Sequence, residues 1–135
     1  VLVVNGARAE QQGVRSAEGD WQQALDLLAA VEPEPGPPLA AVLSDEASAV
    51  ARSLELAVVT ASLPPRLVER LVERALASGN VSLVFVDSTS FAGVPRRPVP
   101  ELLRLQAAGV AVAALRDGDD LAEALSAPER QAARG

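Results

Sequence analysis

The segments LELAVVT (54–60), VSLVFVD (81–87) and GVAVAAL (109–115) decide the fold. Each is a short apolar run, rich in Val and Leu, with the length and composition of a buried strand. Between the first two lies SLPPRLVERLVERALASGN (62–80), which carries a helical pattern. Leu67, Val68, Leu71, Val72, Ala75 and Leu76 form one apolar stripe, while Arg66/Glu69 and Arg70/Glu73 stand at i,i+3 on the other side. Ser62 is placed to cap this helix, Pro64-Pro65 suits its first turn, and Gly79-Asn80 ends it. Between the second and third runs, a loop with Gly93, Pro95 and Pro98 leads into a helix over about 99–108. Leu102, Leu105 and Ala108 lie near one face, and Gly109 is the C-cap. Strand, helix, strand, helix, strand at this spacing predicts right-handed crossovers and a parallel sheet with adjacent strands in sequential order. Four apolar residues in succession, Leu56–Val59, predict a strand covered on both faces. The fold class expected is therefore α/β, in three layers, with a mostly parallel sheet and helices on both faces.

Upstream, Val1–Val4 has the pattern of another strand, followed by Asn5-Gly6 and a weak apolar run at Val14–Ala17 that would form the second arm of a hairpin. Asp20 is expected to cap a helix through Val31, with Trp21, Ala24, Leu25, Leu28 and Val31 at helical spacing and Trp21 as a packing anchor. Four prolines within 32–38 exclude helix and central strand there and predict an extended surface loop. Leu39, Val42, Leu43, Ala47 and Val50 define one further helical face. After the third strand, Asp117-Gly-Asp-Asp120 turns the chain into a short helix over Leu121–Leu125. The domain boundaries expected are one α/β domain over 1–126 and a polar tail over 127–135. The chain opens inside an apolar strand-like run without Met, which reads as a piece of a longer protein. No internal repeat is evident.

Composition narrows the chemistry. The chain has 135 residues, 49% of them hydrophobic, and a net charge of −6 from 18 acidic and 12 basic side chains. Nothing approaches the roughly eighteen uninterrupted apolar residues of a membrane span. Cys, His, Lys, Tyr and Met are absent, and every basic residue is Arg. Disulfides, cysteine zinc sites, thiolate nucleophiles, histidine proton shuttles, Schiff bases and P-loop lysines are thereby excluded. What remains is Asp/Glu acid–base work and carboxylate-bound Mg²⁺ or Ca²⁺. An acidic chain whose aromatics are Trp21, Phe85 and Phe91 offers neither a phosphate-binding surface nor a base-stacking platform, so nucleic acid is not an expected partner. Arg96-Arg97 is the one adjacent basic pair and reads as a solvated loop. Arg-only, Ala-rich usage points to a GC-rich bacterial genome.

Ligands of a parallel sheet bind at the carboxyl ends of its strands. The residues expected there are Asn5, Thr60, Ser62, Asp87, Ser88 and Asp117, as a ligand-binding or interaction edge. The same residue types are also the commonest helix caps and turn formers. No glycine-rich run spells a dinucleotide fingerprint or Walker A loop. Asp87-Ser-Thr-Ser90 has the wrong spacing for Asp-x-Ser-x-Ser. Counting an EF-hand loop from Asp117 puts Ala122 at the glycine position and Pro128 at the closing glutamate. No catalytic residue and no bound transition metal are expected. A non-enzymatic interaction domain is the favoured class, and a carboxylate-dependent Mg²⁺ hydrolase or nucleotide-binding domain through Asp87 and Asp117 is the alternative.

The order of elements resembles the von Willebrand factor A-like fold, and more narrowly the carboxyl-terminal half of a bacterial family of unknown function, family 58 of such domains. The similarity runs through Val1–Gly6, the helix Trp21–Val31, Leu56-Ala-Val-Val-Thr60, Val81–Asp87 and Gly109–Leu115. The resemblance implies a further central strand upstream, between Val1–Val4 and Leu56–Val59. It also implies a protein partner of the MoxR-type AAA ATPase class and a cytoplasmic location at the inner membrane face, reached through amino-terminal helices outside this segment. The segment itself would make no direct membrane contact. The Mg²⁺ site of a von Willebrand A domain needs Asp-x-Ser-x-Ser, a Thr from a later loop and the Asp of Thr-Asp-Gly; Ala61 stands where that Asp would be, so no cofactor is expected unless an upstream motif supplies one.

Overall fold

A computed structural model describes residues 2–5, 9–12, 19–30, 36–45, 50, 52–94 and 96–126. The chain divides into two compact units, Val1–Ser53 and Leu54–Gly135; the single domain expected over 1–126 spans both.

In the first unit, β1 (Leu2–Asn5) pairs antiparallel with β2 (Ala9–Gln12), with Leu2 opposite Gln12 and Asn5 opposite Ala9. The hairpin forms nearer in sequence than expected, with Asn5 already opposite Ala9; the Val14–Ala17 run lies outside the described residues. Short hairpin loops are favoured because their closure cost is small, and here that outweighs the poor strand propensity of a polar second arm. Helix α1 (Gly19–Ala30) starts one residue before the expected cap, Asp20. Ala24 is buried, but Trp21, Leu25 and Leu28 are exposed, so Trp21 is not the packing anchor its spacing predicted. Helix α2 (Leu39–Ser44) buries Ala40 and Val42 and stops at Asp45, whose backbone is extended. The Ser44 hydroxyl donates to the Ala40 carbonyl at 2.7 Å, a side-chain bond that competes with continuing the helix. The face expected to reach Val50 is therefore shorter, and Ala47 lies outside the described residues.

The second unit has the parallel sheet. β3 (Leu56–Thr60), β4 (Val81–Val86) and β5 (Ala111–Leu115) are parallel and in sequential order. Val58 lies beside Leu83, and Leu83 beside Val112. The connections are α3 (Pro65–Ser78) and α4 (Val99–Ala107). Pro65 occupies the first helical turn, where a missing N–H costs nothing, and Gly79 closes α3 with φ +76, a left-handed value that glycine adopts without strain. Of the two expected i,i+3 pairs, Arg70–Glu73 forms, at 2.9 Å. α3 and α4 pack on each other as well as on the sheet, so both crossover helices lie on one face, as right-handed crossovers in sequential order require. Leu67, Val68 and Leu71 of α3, Leu105 of α4 and Leu83 of β4 are its most deeply buried apolar residues. Each such side chain contributes about 1.5–3 kcal/mol by leaving water.

The other face is only partly covered. Val58 is 6% exposed and its neighbour Val59 is 67% exposed. A continuous apolar run thus need not mean two covered faces: β3 is an edge strand, hydrogen-bonded to β4 alone among the described residues. Residues 121–126 form a last short helix, α5; the tail over 127–135 lies outside the described residues.

Candidate functional site: the carboxyl edge of the parallel sheet

Because β3, β4 and β5 run the same way, the residues that follow them emerge along one edge. Thr60, Ser62, Asp87, Ser88 and Asp117 belong to it. Asn5 ends β1 in the separate antiparallel hairpin of the first unit, opposite Ala9.

Asp87 organises the edge. Its N–H donates to the Leu115 carbonyl at 2.7 Å, which carries the β4–β5 pairing one residue past the strand. Its side chain is 1% exposed. Oδ1 accepts a 2.7 Å bond from the Thr89 hydroxyl, and Oδ2 has no hydrogen-bond partner among the described residues. The Thr89 bond holds the carboxyl below its ordinary value, against burial, which pushes it up; amide contacts from Arg96 and Ser90 and the Arg97 charge add to the lowering. An ionised, buried carboxylate with one bare oxygen is costly, so the surrounding loop has to be held firmly for it to persist.

That loop is a single turn of 3-10 helix, Ser88–Ala92, closed by Gly93 at φ +79. The Thr89 hydroxyl, while donating to Asp87, accepts the Arg96 N–H at 3.0 Å. The Ser90 hydroxyl donates to the Asp87 carbonyl at 2.6 Å and accepts the Asp117 N–H at 2.8 Å. Two hydroxyls therefore tie the β4 loop to itself and to the segment after β5. Thr89 and Ser90 are the working residues, whereas the sequence reading singled out Ser88. The available signal was a hydroxyl two and three residues after an Asp at a strand end, the spacing of local side-chain-to-backbone turns.

The other expected residues have local duties. Thr60 Oγ1 accepts the Ser62 N–H at 3.3 Å and donates to the Ser62 carbonyl at 3.0 Å. Ser62 does not cap α3: the cap position is Pro64, with no side-chain cap bond, because Leu63 and Pro64 separate the serine from the first turn. After β5 the acidic cluster divides its work. Asp119 Oδ2 accepts the Arg116 N–H at 3.0 Å, with Oδ1 at 3.7 Å from the Arg116 guanidinium. Asp120 Oδ1 accepts the Glu123 N–H at 2.9 Å and so caps α5. Asp117 is exposed and uses its N–H on Ser90.

Among the described residues no three acidic side chains converge, and the bare Oδ2 of Asp87 is sealed from solvent. No protein-family model, no curated protein and no solved structure matches this chain. No helix among the described residues is long and apolar enough to cross a membrane.

Proposed function

We propose that this chain is a non-enzymatic protein-interaction domain that binds through the carboxyl edge of its parallel sheet. The observation that carries this reading is what Asp87 does. Among the described residues it is the one buried charged side chain at the edge, and its carboxylate is engaged by its own loop through Thr89. The loop it holds presents Phe91, Val94, Arg96 and Arg97 to solvent. An aromatic and arginines on a pre-organised backbone are the groups that contribute most to protein–protein affinity, because little ordering cost remains to be met on binding.

The resemblance to family 58 supplies the biological setting of the proposal: a membrane-tethered bacterial protein, cytoplasmic at the inner face, working with a MoxR-type AAA ATPase. It also supplies the finer fold, a von Willebrand A-like sheet with one more strand beside β3. Among the described residues β3 is hydrogen-bonded to β4 alone, which leaves its outer side for such a neighbour.

Calorimetry of the chain against the MoxR-type ATPase from the same genome tests the reading, with micromolar binding that Phe91→Asp weakens as the expected result. No binding, or binding indifferent to Phe91, overturns it. The bare Asp87 oxygen favours one competitor, a carboxylate-dependent Mg²⁺ hydrolase. Titration with Mg²⁺, Mn²⁺ and Ca²⁺ at millimolar levels separates the two, since metal binding lost in Asp87→Asn would support the hydrolase.

A further inference from the structure

We infer that the carboxyl edge is self-complementary and pairs with the same edge of a second copy of this chain about a twofold axis. This rests on the reading of that edge as an interaction surface and names its occupant.

The edge has two patches of opposite charge side by side, each with exposed apolar residues. The first is the β4 loop, where Phe91 is 64% exposed, Val94 is exposed beside it, and Arg96 and Arg97 are exposed with no carboxylate of the described residues at ion-pair distance. The second follows β5. Here Asp117 and Asp120 are exposed, Arg116 is offset by Asp119, and Leu121 and Leu125 stand exposed at i,i+4 on α5. The Ser90–Asp117 and Asp87–Leu115 bonds fix the two patches relative to each other. The start of the second patch is thus held directly against the first.

An occupant must answer both patches at once. A lipid surface or a nucleic acid attracted by Arg96 and Arg97 would meet Asp117 and Asp120 alongside, and an acidic peptide would leave the second patch bare. A copy of the same edge, turned through a twofold rotation, sets basic against acidic and acidic against basic while both apolar pairs leave water. In such an isologous contact each residue meets its counterpart's complement twice, so a modest patch counts double. The chain as a whole, at net −6, repels its copies, which makes the local charge pairing the selective element.

Sedimentation velocity from about 1 to 200 µM tests the inference, since a two-patch contact of modest size is expected to have a Kd on the order of tens of micromolar. Two variants carry the decision: Arg96→Glu with Arg97→Glu makes both patches acidic, and Asp117→Arg with Asp120→Asn makes both basic or neutral. Asn keeps the helix cap, and circular dichroism confirms that each variant is folded. Each alone is expected to lose dimer, its Kd rising at least about tenfold as like charges are apposed. An equimolar mixture is expected to restore a dimer of one copy of each. Phe91→Ser provides a charge-neutral check and should weaken the wild-type dimer. A wild-type chain monomeric at 200 µM, or two monomeric variants that stay monomeric when mixed, overturns the inference. A monomeric wild type that still binds the ATPase sinks the twofold contact alone; a dimer indifferent to the ATPase sinks that partner alone.

Discussion

Val58 and Val59 are consecutive residues of β3, yet one is 6% and the other 67% exposed, so the same substitution at each measures which face of the sheet is covered. Val→Ala removes two methyl groups, worth about 0.8 kcal/mol each when fully out of water. At Val58 nearly all of that is lost, about 1.5 kcal/mol, and the cavity left against Leu83 and the helix layer adds about 1 kcal/mol more. At Val59 only about a third of the side chain is out of water, giving about 0.5 kcal/mol and no cavity. The lower strand propensity of Ala is common to both and largely cancels. Val58→Ala should therefore destabilise the chain by about 2 kcal/mol more than Val59→Ala. In urea, with a slope near 2 kcal/mol per molar, the midpoints should differ by about 1 M. Equal losses of about 2 kcal/mol would refute a one-sided β3 and show that its second face is packed after all.

Two more predictions concern the carboxyl edge. Asp87 has a folded pKa below its ordinary 3.8, so its ionised form contributes stability above that pH, and the contribution is lost as pH falls through the folded pKa. Thr89→Val removes the bond that does most of the lowering; a carboxyl carbon NMR titration should show Asp87 moving up, and acid unfolding should begin at higher pH. An unmoved Asp87 would mean that Thr89 is not the cause. Asp120→Ala removes the cap of α5 and should cost about 1 kcal/mol, seen as faster amide exchange confined to 121–126. Unchanged exchange there would show that the Glu123 N–H does not depend on this carboxylate.

The parallel sheet was legible without coordinates because a βαβ unit is a local object. Apolar runs at 56–59, 81–86 and 110–115, joined by helices with one apolar stripe, leave the chain few alternatives, and chirality decides among those. Gly79 and Gly109 were legible for the same reason: both end a helix at a positive φ, a demand local in sequence. The inventory of side chains likewise excluded thiol, imidazole and amine chemistry by itself. Only the tertiary structure decided how each polar residue at the edge is used. Asp87, Asp117 and Asp120 look alike in sequence, but one is buried beside Thr89, one is exposed, and one caps a helix. Their partners are local, Thr89 two residues from Asp87 and Glu123 three from Asp120, and the difference in burial comes from what packs around each. Nor could the pattern tell Val58 from Val59, since both are apolar and burial depends on what packs over each face. Hydrophobic periodicity states what a residue would tolerate, and the layers around it determine whether it is covered.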